Sequence, residues 1–287
     1  MSGRKRISDV LAYILIGICC VISVLILIGI IAYVFIKGIG VVDWSFLSSV
    51  TSVLNGTVGI AGNIVNTIIA VVLTLLISAP VGICGAIYLN EYAKPGKIVS
   101  AIEFATETLS GIPSIIFGMF GMVFFVEGLH MGYSLLAGSL TLSLMVLPLI
   151  TRNTQEALKT VPDSYRQGAI GLGSSKLYMI VKILIPSAMQ GIVTGVILAV
   201  GRVVGESAVL LFTAGSAKLL PNNVKQLLLK PFQSGGTLTV QMYLSATSEG
   251  DFDTAFGIAV VLLVIVLCIN FLTKLLTRLF NKSTRTV

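Results

Sequence analysis

Charged and reactive side chains are scarce in this sequence. Asp, Glu, Lys and Arg make up only 11% of its 287 residues, against roughly 25% in average soluble domains. There is one histidine, and the four cysteines (Cys19, Cys20, Cys84 and Cys268) show no CxxC spacing. These absences argue against a disulfide framework and against a metal site. They predict that the cysteines are small buried apolar residues.

The familiar motifs of catalysis are absent as well. The sequence contains no G-x-x-x-x-G-K-[ST] loop, the motif whose backbone cradles nucleotide phosphates, so the chain is not expected to hydrolyse ATP itself. No HExxH, GxSxG or CxxC site is found either, which removes the common metalloprotease, hydrolase and redox signatures. We therefore expect a protein that is not an enzyme and holds no cofactor of its own.

The low content of charged residues is matched by a high content of apolar residues. They account for 55% of the chain, and residues 10–36 form a stretch of 27 residues without a charge. Such a stretch exceeds the roughly 20 residues that cross a bilayer and is too long for a signal-peptide core. The pattern predicts an all-α membrane protein with six transmembrane helices. Their predicted positions are about 10–36, 62–89, 110–126, 134–150, 183–212 and 254–279.

The basic residues are distributed unevenly between the loops. If both termini lie on one side of the membrane, 14 of the 19 Lys and Arg residues lie on that side and 4 on the other. The positive-inside rule then predicts that both termini are cytoplasmic. The basic residues flank apolar spans and form no patch interleaved with aromatic residues, so the net charge of +7 does not indicate nucleic-acid binding.

Arg202 and Glu206 are the only charges between Ile183 and Phe212, inside the predicted fifth span. A charge at membrane depth costs at least roughly 2.5–3.5 kcal/mol on insertion scales. If the helix is continuous, a spacing of four places both groups on one face, where they can pair or hold a third group between them. Two interpretations remain open: a substrate path, or a structural ion pair that fixes helix packing.

The predicted inner loop at residues 152–182 alternates charged, small and apolar residues at helical spacing. This pattern predicts two short amphipathic helices, exposed to the cytoplasm, with a bend that glycine permits. The segment Gln167–Gly173 reads QGAIGLG, and after nine residues the sequence ILIP ends at Pro186. It resembles the signature of permease subunits in binding-protein-dependent ABC importers, E-A-A, three residues, G, nine residues, I-x-L-P. Gln167, Gly168 and Ile185 depart from it.

The resemblance implies a type I ABC importer permease fold with a cytoplasmic coupling helix that lies in a groove of an ATPase subunit. Residues 1–36 would form the tail and first helix, 60–280 the core domain and 281–287 a cytoplasmic tail. In the coupling segment, Gly173 would permit the turn that returns the chain to the membrane. The residues that match the family's coupling contact are Gln167, Gly168, Ala169, Gly173 and Pro186.

Four segments resemble more narrowly the permeases of phosphate importers, and the last resembles the PstA-type subunit more than its PstC-type partner. These segments are residues 88–92, 111–118, 156–162 and 205–214. The resemblance implies a bacterial inner-membrane protein that moves phosphate by alternating access. It would be joined by a homologous PstC-type permease, two ATPase subunits that bind ATP and Mg²⁺, and an extracytoplasmic phosphate-binding protein. Arg202, Glu206 and Arg152 would then lie along the phosphate path.

Other interpretations remain at this stage. A permease for molybdate, tungstate or sulfate would share the same coupling segment. An ion-coupled secondary transporter would predict inverted repeats, and none is evident. Arg152, at the inner end of the fourth span, is equally well interpreted as a positive-inside anchor whose stem runs along apolar surface.

Overall fold

The computed structural model describes residues 2–52, 57–221 and 223–283, which are almost entirely helical. The chain begins with α1 (Ser2–Gly38) and α2 (Trp44–Ser48), followed by an antiparallel hairpin of β1 (Val50–Ser52) and β2 (Thr57–Ile60). The later helices are α3 (Ala61–Ile87), α4 (Lys97–Gly111), α5 (Ser114–Gly121), α6 (Leu135–Lys159), α7 (Asp163–Gly171), α8 (Lys176–Met179), α9 (Ile185–Val204), α10 (Ala208–Thr213), α11 (Val224–Leu229), α12 (Leu238–Leu244) and α13 (Phe252–Ser283).

Several helices continue through wider or tighter turns. The π-helical segments are Tyr88–Tyr92, Met122–Gly128, Ile180–Leu184 and Ser245–Glu249, and a 3₁₀ turn covers Lys230–Phe232. The π segment between α8 and α9 has a local cause, because Pro186 has no N–H to donate within the helix. The amide of Ile185 instead donates to the carbonyl of Ile180, so α8, the π segment and α9 form one continuous rod.

The prediction of an all-α membrane protein is confirmed, apart from the short hairpin. Among the described residues, five helical stretches are long and apolar enough to cross a membrane: Asp9–Gly38, Ala61–Tyr92, Leu135–Lys159, Lys176–Val204 and Phe252–Phe271. A sixth span is obtained if the bent pair Lys97–Gly111 and Ser114–Gly128 counts as one.

Two of the predicted boundaries need correction. The third span, placed at 110–126, is part of a helix pair that bends by 102°, because Pro113 disfavours helical geometry at the residue before it. The fifth span does not run to Phe212 but ends at Val204. Gly205 is a poor helix former, and the residues after it start a new helix, α10.

The inner loop also differs from its prediction. Only α7 is a separate short helix, because residues 152–159 belong to α6 and residues 176–182 belong to the rod that contains α9. At the C-terminus, α13 continues through Ser283, so the predicted tail at 281–287 begins as helix. The rest of that tail, residues 284–287, lies outside the described residues.

Helix α6 is the most buried of the candidate spans and packs most extensively against α3. The two helices approach closely because small and hydroxyl side chains line their contact. A Cβ added at Gly82 would lie 2.9 Å from Cγ2 of Ile150, and the hydroxyl of Ser143 donates to the carbonyl of Thr74 at 3.1 Å. Close helix contact through small residues and interhelical hydrogen bonds is typical of membrane interiors.

The segment after α10 folds back onto the start of α3 and contributes buried polar contacts. Asn63 and Asn66 each donate to the carbonyl of Gly236, at 2.9 and 3.0 Å. These bonds hold the chain just before α12, a helix that the sequence did not predict, against the start of α3. Helix α11, in the same connection, is exposed.

The surface of the chain is strongly apolar. The described part of α1 is exposed nearly throughout and contacts mainly α13 near its own C-terminal end. The cysteines were predicted to be buried, and this is wrong: all four are free and exposed. Because they lie on membrane-spanning helices, an exposed apolar thiol there faces a lipid or protein neighbour and not water.

The packing of α3 on α6 can be tested with two glycines of the same helix. Gly82→Leu should destabilise the protein by roughly 1–3 kcal/mol, the cost of overpacking a well-filled contact. Gly85→Leu is the matched control, because no atom lies within 4 Å of a Cβ at that position. Thermal unfolding of the detergent-purified protein measures both effects. Equal melting temperatures for the two variants would contradict the packing described above.

Candidate functional site

A cavity of about 220 Å³ between α6 and α9 brings together the two arginines that the sequence singled out. Its polar lining includes Arg202 from α9 and Arg152, Asn153 and Glu156 from α6. We refer to it as the Arg202 cavity. The remaining lining residues are Ser110, Met145, Pro148 and Leu149. Of the three predicted path residues, the structure therefore gathers Arg202 and Arg152, but not Glu206.

Arg202 lies level with the middle of α6. Along the contact between the helices, Gly191 packs on Ala157 and Gly195 packs on Asn153. Arg202 is two turns further along α9, which places it beside Met145 and Leu149 of the 25-residue α6. The Arg202 guanidinium is therefore far from both ends of α6.

The Arg202 side chain is exposed on the surface of the chain, as are Leu198 and Thr194 on the same stripe of α9. Within the described residues, the Arg202 side chain forms no ion pair and no hydrogen bond. Its donors are therefore available to a group that this chain does not supply. A guanidinium presents two parallel N–H groups that match a phosphate or carboxylate.

Arg152 has a different environment. Its Nη1 lies 3.1 Å from Oε1 of Glu107 on α4, and its Nε lies 3.6 Å from Oε1 of Glu156 one turn further along α6. Both pairs are solvent-accessible, so their net contribution to stability is small, about 0–1 kcal/mol each. Such weak pairing leaves Arg152 free to exchange partners.

Two further cavities adjoin the first through shared residues. One, of about 250 Å³, shares Arg152 and Glu156 and adds Glu103, Glu107 and Lys159; we name it the Glu107 cavity. The other, of about 420 Å³, shares Asn153 and Glu156 and is the α6–α9 groove. Its other polar lining residues are Thr160, Ser187, Gln190 and Thr194. Polar surface is thus continuous from Arg202 towards the C-terminal end of α6 and the N-terminal end of α9.

The lining charges change sign along this surface. Two arginines and one glutamate line the Arg202 cavity, whereas three glutamates face one arginine and one lysine in the Glu107 cavity. The net charge of the lining therefore favours an anion in the Arg202 cavity over one in the Glu107 cavity, and the effect is modest because these side chains are solvent-accessible.

Glu206 is not on the same helix as Arg202, so the proposed pair on one face is wrong. Helix α9 ends at Val204, and the Oε1 of Glu206 accepts hydrogen bonds from the amides of Ala208 and Val209 at 3.0 and 3.3 Å. These amides would otherwise continue the helix, so the carboxylate competes with the helix and caps α10. The hydroxyl of Thr239 donates to the Glu206 carbonyl at 2.8 Å, which fixes the break.

The end of α7 adopts the turn that the sequence predicted. Gly173 has φ +77°, a value that is costly for residues with a Cβ. The amide of Ser174 donates to the carbonyl of Ala169, and that of Gly173 donates to the carbonyl of Ile170. These two bonds form a Schellman cap, in which a left-handed residue closes the helix. The chain then turns directly into α8 and returns to the bundle.

The other predicted coupling residues lie on different faces. Gln167 and Gly168 are exposed on α7, and Leu172 at its end is 91% exposed. Ala169 is only 5% exposed and packs in an apolar cluster with Leu158, Met179 and Leu184. It therefore anchors α7 to the bundle and is not on the outward face. Pro186 is exposed on α9, next to the π segment that its missing N–H produces.

The structure also shows a contact that sequence analysis missed. The carboxylate of Glu91, after α3, accepts a hydrogen bond from Nη2 of Arg166 on α7 at 2.9 Å. This hydrogen bond is the main reason that the pKa of Arg166 is raised. The two residues are 75 positions apart, and no periodicity links residues so distant.

Comparison with known proteins shows to which family this chain belongs. Residues 80–286 match the family described as binding-protein-dependent transport system inner membrane component. A probable ABC transporter permease protein of Bacillus subtilis, YqgI, is 37% identical over 74% of this chain and 72% of its own length. The phosphate transport system permease protein PstA 2 of Mycobacterium tuberculosis is 34% identical over 98% of this chain and 92% of its own.

Solved structures share the fold at low sequence identity. A chain of a bacterial alginate ABC transporter, in complex with an alginate pentasaccharide-bound periplasmic protein, matches with a TM-score of 0.65 at 15% identity. The match covers 96% of this chain and 98% of the other. A chain of the MetNI methionine ABC transporter in an inward-facing conformation matches with a TM-score of 0.57 at 20% identity, over 77% and 94% of the two chains.

The Schellman cap of α7 generates a direct test. Gly173→Val should strain the turn, because a β-branched residue at positive φ costs on the order of 1–3 kcal/mol. We expect normal membrane insertion, faster proteolysis at residues 163–176 and less of the ATPase subunit, implied by the resemblance, co-purifying. Gly171→Val is the control, since both positions have open space for a Cβ and only Gly173 has positive φ. Identical behaviour of the two variants would show that the turn is unimportant.

Proposed function

Because this chain belongs to the family of binding-protein-dependent transport system inner membrane components, we propose that it is the transmembrane permease subunit of an ATP-driven importer of inorganic phosphate. The observation that best supports phosphate as the substrate is the Arg202 cavity. There Arg202 has no carboxylate partner within the described residues. The relatives named as phosphate permeases support the same substrate.

The proposed role of the cavity is to hold the phosphate in transit. Arg202 donates two parallel hydrogen bonds to the anion, and Arg152 reaches it by leaving Glu107 or Glu156. The two guanidinium groups together offset part of the desolvation cost of the anion. Release follows because the carboxylates further along compete again for Arg152 and repel the anion.

Glu206 has an indirect part in this proposal. Its carboxylate ends α9 two residues after Arg202 and caps α10, so it fixes the position of the helix end that carries Arg202. A direct contact between Glu206 and phosphate is not needed, since Glu206 does not line the cavity.

The transport step would be alternating access, coupled to ATP hydrolysis outside this chain. We propose that two separate ATPase subunits bind ATP and Mg²⁺, and that α7 contacts one of them through Gln167, Gly168 and the exposed Leu172. A homologous permease would cover the exposed stripe of α9 and close the cavities from the other side. An extracytoplasmic phosphate-binding protein would deliver the substrate.

The proposed orientation places both termini in the cytoplasm. It is supported by contacts between connections that the charge count assigns to the same side. Glu91 and Glu107 contact Arg166 and Arg152 at one end of the bundle. At the other end, Lys218 contacts Glu249 at 3.1 Å.

Orientation can be tested by labelling single cysteines in a background without the four native ones. Val224→Cys should react with an impermeant thiol reagent added to intact cells, because Val224 is 73% exposed on the proposed outer side. Leu172→Cys, at 91% exposure, should react only after permeabilisation, in cells that lack the ATPase subunit. Labelling of Leu172→Cys in intact cells would reverse the proposed topology.

The role of Arg202 is tested by uptake of radioactive phosphate into cells with no other phosphate importer. Arg202→Gln should abolish or sharply slow uptake while the complex assembles normally, because no ion pair of this chain is broken. Arg202→Lys should retain part of the activity, since an ammonium keeps the charge but loses the two-pronged geometry.

Two further variants serve as controls for this experiment. Lys182→Gln removes an exposed positive charge from the same rod, outside the three cavities, and should transport normally. Glu206→Gln keeps an oxygen that can cap α10 and should transport near the wild-type rate. Uptake by Arg202→Gln at a rate near wild type would refute the proposed phosphate path.

A further inference from the structure

The pair formed by Glu91 and Arg166 is unusually enclosed for a charged contact at the end of a helix bundle. The Glu91 side chain is 5% exposed and that of Arg166 is 19% exposed. Three donors converge on Oε1 of Glu91: Nη2 and Nε of Arg166 at 2.9 and 3.3 Å, and Nδ2 of Asn90 at 2.7 Å. Such a carboxylate has little freedom to change partner.

The same guanidinium also holds the end of α6. Nη2 of Arg166 donates to the carbonyl of Leu158 at 3.1 Å, and Nη1 donates to the carbonyl of Val161 at 3.0 Å. Carbonyls at the end of a helix lack partners within the helix, and a cation there is favoured by the helix dipole. One side chain on α7 therefore binds the inner ends of both α3 and α6.

A second cation reaches the same segment from the other side of the Gly173 turn. Nζ of Lys176, at the start of α8, lies 4.9 Å from the ring centroid of Tyr92, within the range of a cation–π contact. The Tyr88–Tyr92 segment is thus contacted by α7 through Arg166 and by α8 through Lys176.

This segment is connected directly to the proposed phosphate path. Leu89 lies within it and lines the Glu107 cavity together with Arg152. A displacement of α7 that pulls on Glu91 therefore acts on the segment that carries Leu89, at the cavity where the charge of the lining changes sign.

We infer that Glu91 and Arg166 form the linkage through which motion of α7 is transmitted to α3 and α6, so that ATP hydrolysis in the partner subunits opens and closes the phosphate path. Both are positioning residues and touch neither phosphate nor ATP. The inference rests on the proposed function, because it takes α7 to be the contact with the ATPase.

The test uses the complete importer reconstituted in vesicles with its binding protein, and measures phosphate taken up per ATP hydrolysed. Glu91→Gln removes the charge but keeps an oxygen that accepts a hydrogen bond. We expect ATP hydrolysis to continue while uptake per ATP falls by roughly fivefold or more, the low end of typical coupling between sites. Stimulation of hydrolysis by the binding protein should fall in parallel.

Asp163→Asn is the matched control. Asp163 contacts the same guanidinium, with Oδ1 3.1 Å from Nη1, but it lies on α7 itself and its side chain is 83% exposed. It links α7 to no other helix, so its loss should leave uptake per ATP unchanged. Arg166→Lys keeps the charge but cannot reach Glu91, Leu158 and Val161 together, and should give an intermediate ratio.

Two outcomes would overturn the inference. One is an unchanged ratio in Glu91→Gln. The other is a loss of assembled complex while the fraction that still assembles keeps a normal ratio of phosphate taken up to ATP hydrolysed. The pair would then stabilise the fold and play no part in coupling. Failure of the wild-type complex to take up phosphate would count against the proposed function instead. The stimulation of hydrolysis by the binding protein would then still report on the linkage.

Discussion

Inside a membrane, each interruption of a helix leaves backbone N–H and C=O groups that water cannot satisfy. The fold of this chain depends on which other groups form hydrogen bonds with them. An unsatisfied backbone group there costs several kcal/mol. At the end of α9 the carboxylate of Glu206 accepts hydrogen bonds from two free amides, and the hydroxyl of Thr239 donates a hydrogen bond to the carbonyl of Glu206. Near Pro186 the π segment and the hydroxyl of Ser187, which donates to Ile183, serve the same purpose. The break after Arg202 is therefore a stable feature, and it fixes where the free guanidinium lies.

The features that the sequence predicted correctly are those with a local cause. Apolar length predicted the spans, and Gly173 predicted the left-handed turn that ends α7. The errors arose where a local pattern competed with distant contacts. Helical spacing placed Arg202 and Glu206 on one face, but Gly205 and the cap on α10 end the helix between them. Ala169 matched a motif position, yet it is buried against Leu158. Helix α12 and the Glu91–Arg166 pair depend on partners far along the chain, so no periodicity could reveal them.

The distribution of exposed surface is what we expect if this chain forms one wall of the proposed path. Helix α6 is largely buried, whereas the stripe of α9 that carries Thr194, Leu198 and Arg202 is open. An unpaired guanidinium on an open apolar face is unstable against lipid. The same guanidinium is well placed if a second permease covers the face and encloses water and anion. An exposed arginine on this face is thus expected if a homologous permease covers the face in the complete transporter.

The course of the chain explains how a small segment can control the whole path. Helix α6 forms one side of the α6–α9 groove and runs through residues 160–162 into α7. The rod that ends in α9 forms the other side and begins just after the Gly173 turn. The two walls of the groove are therefore connected by residues 160–175, in which α7 lies between two short linkers, 160–162 and 172–175. A tilt of α7 must change the separation of the walls unless the linkers bend. Arg166 opposes such bending, because its guanidinium holds α3, the end of α6 and α7 together. Movement of α7 would then change the distance between Arg202 and Arg152, the two groups that we propose bind the anion.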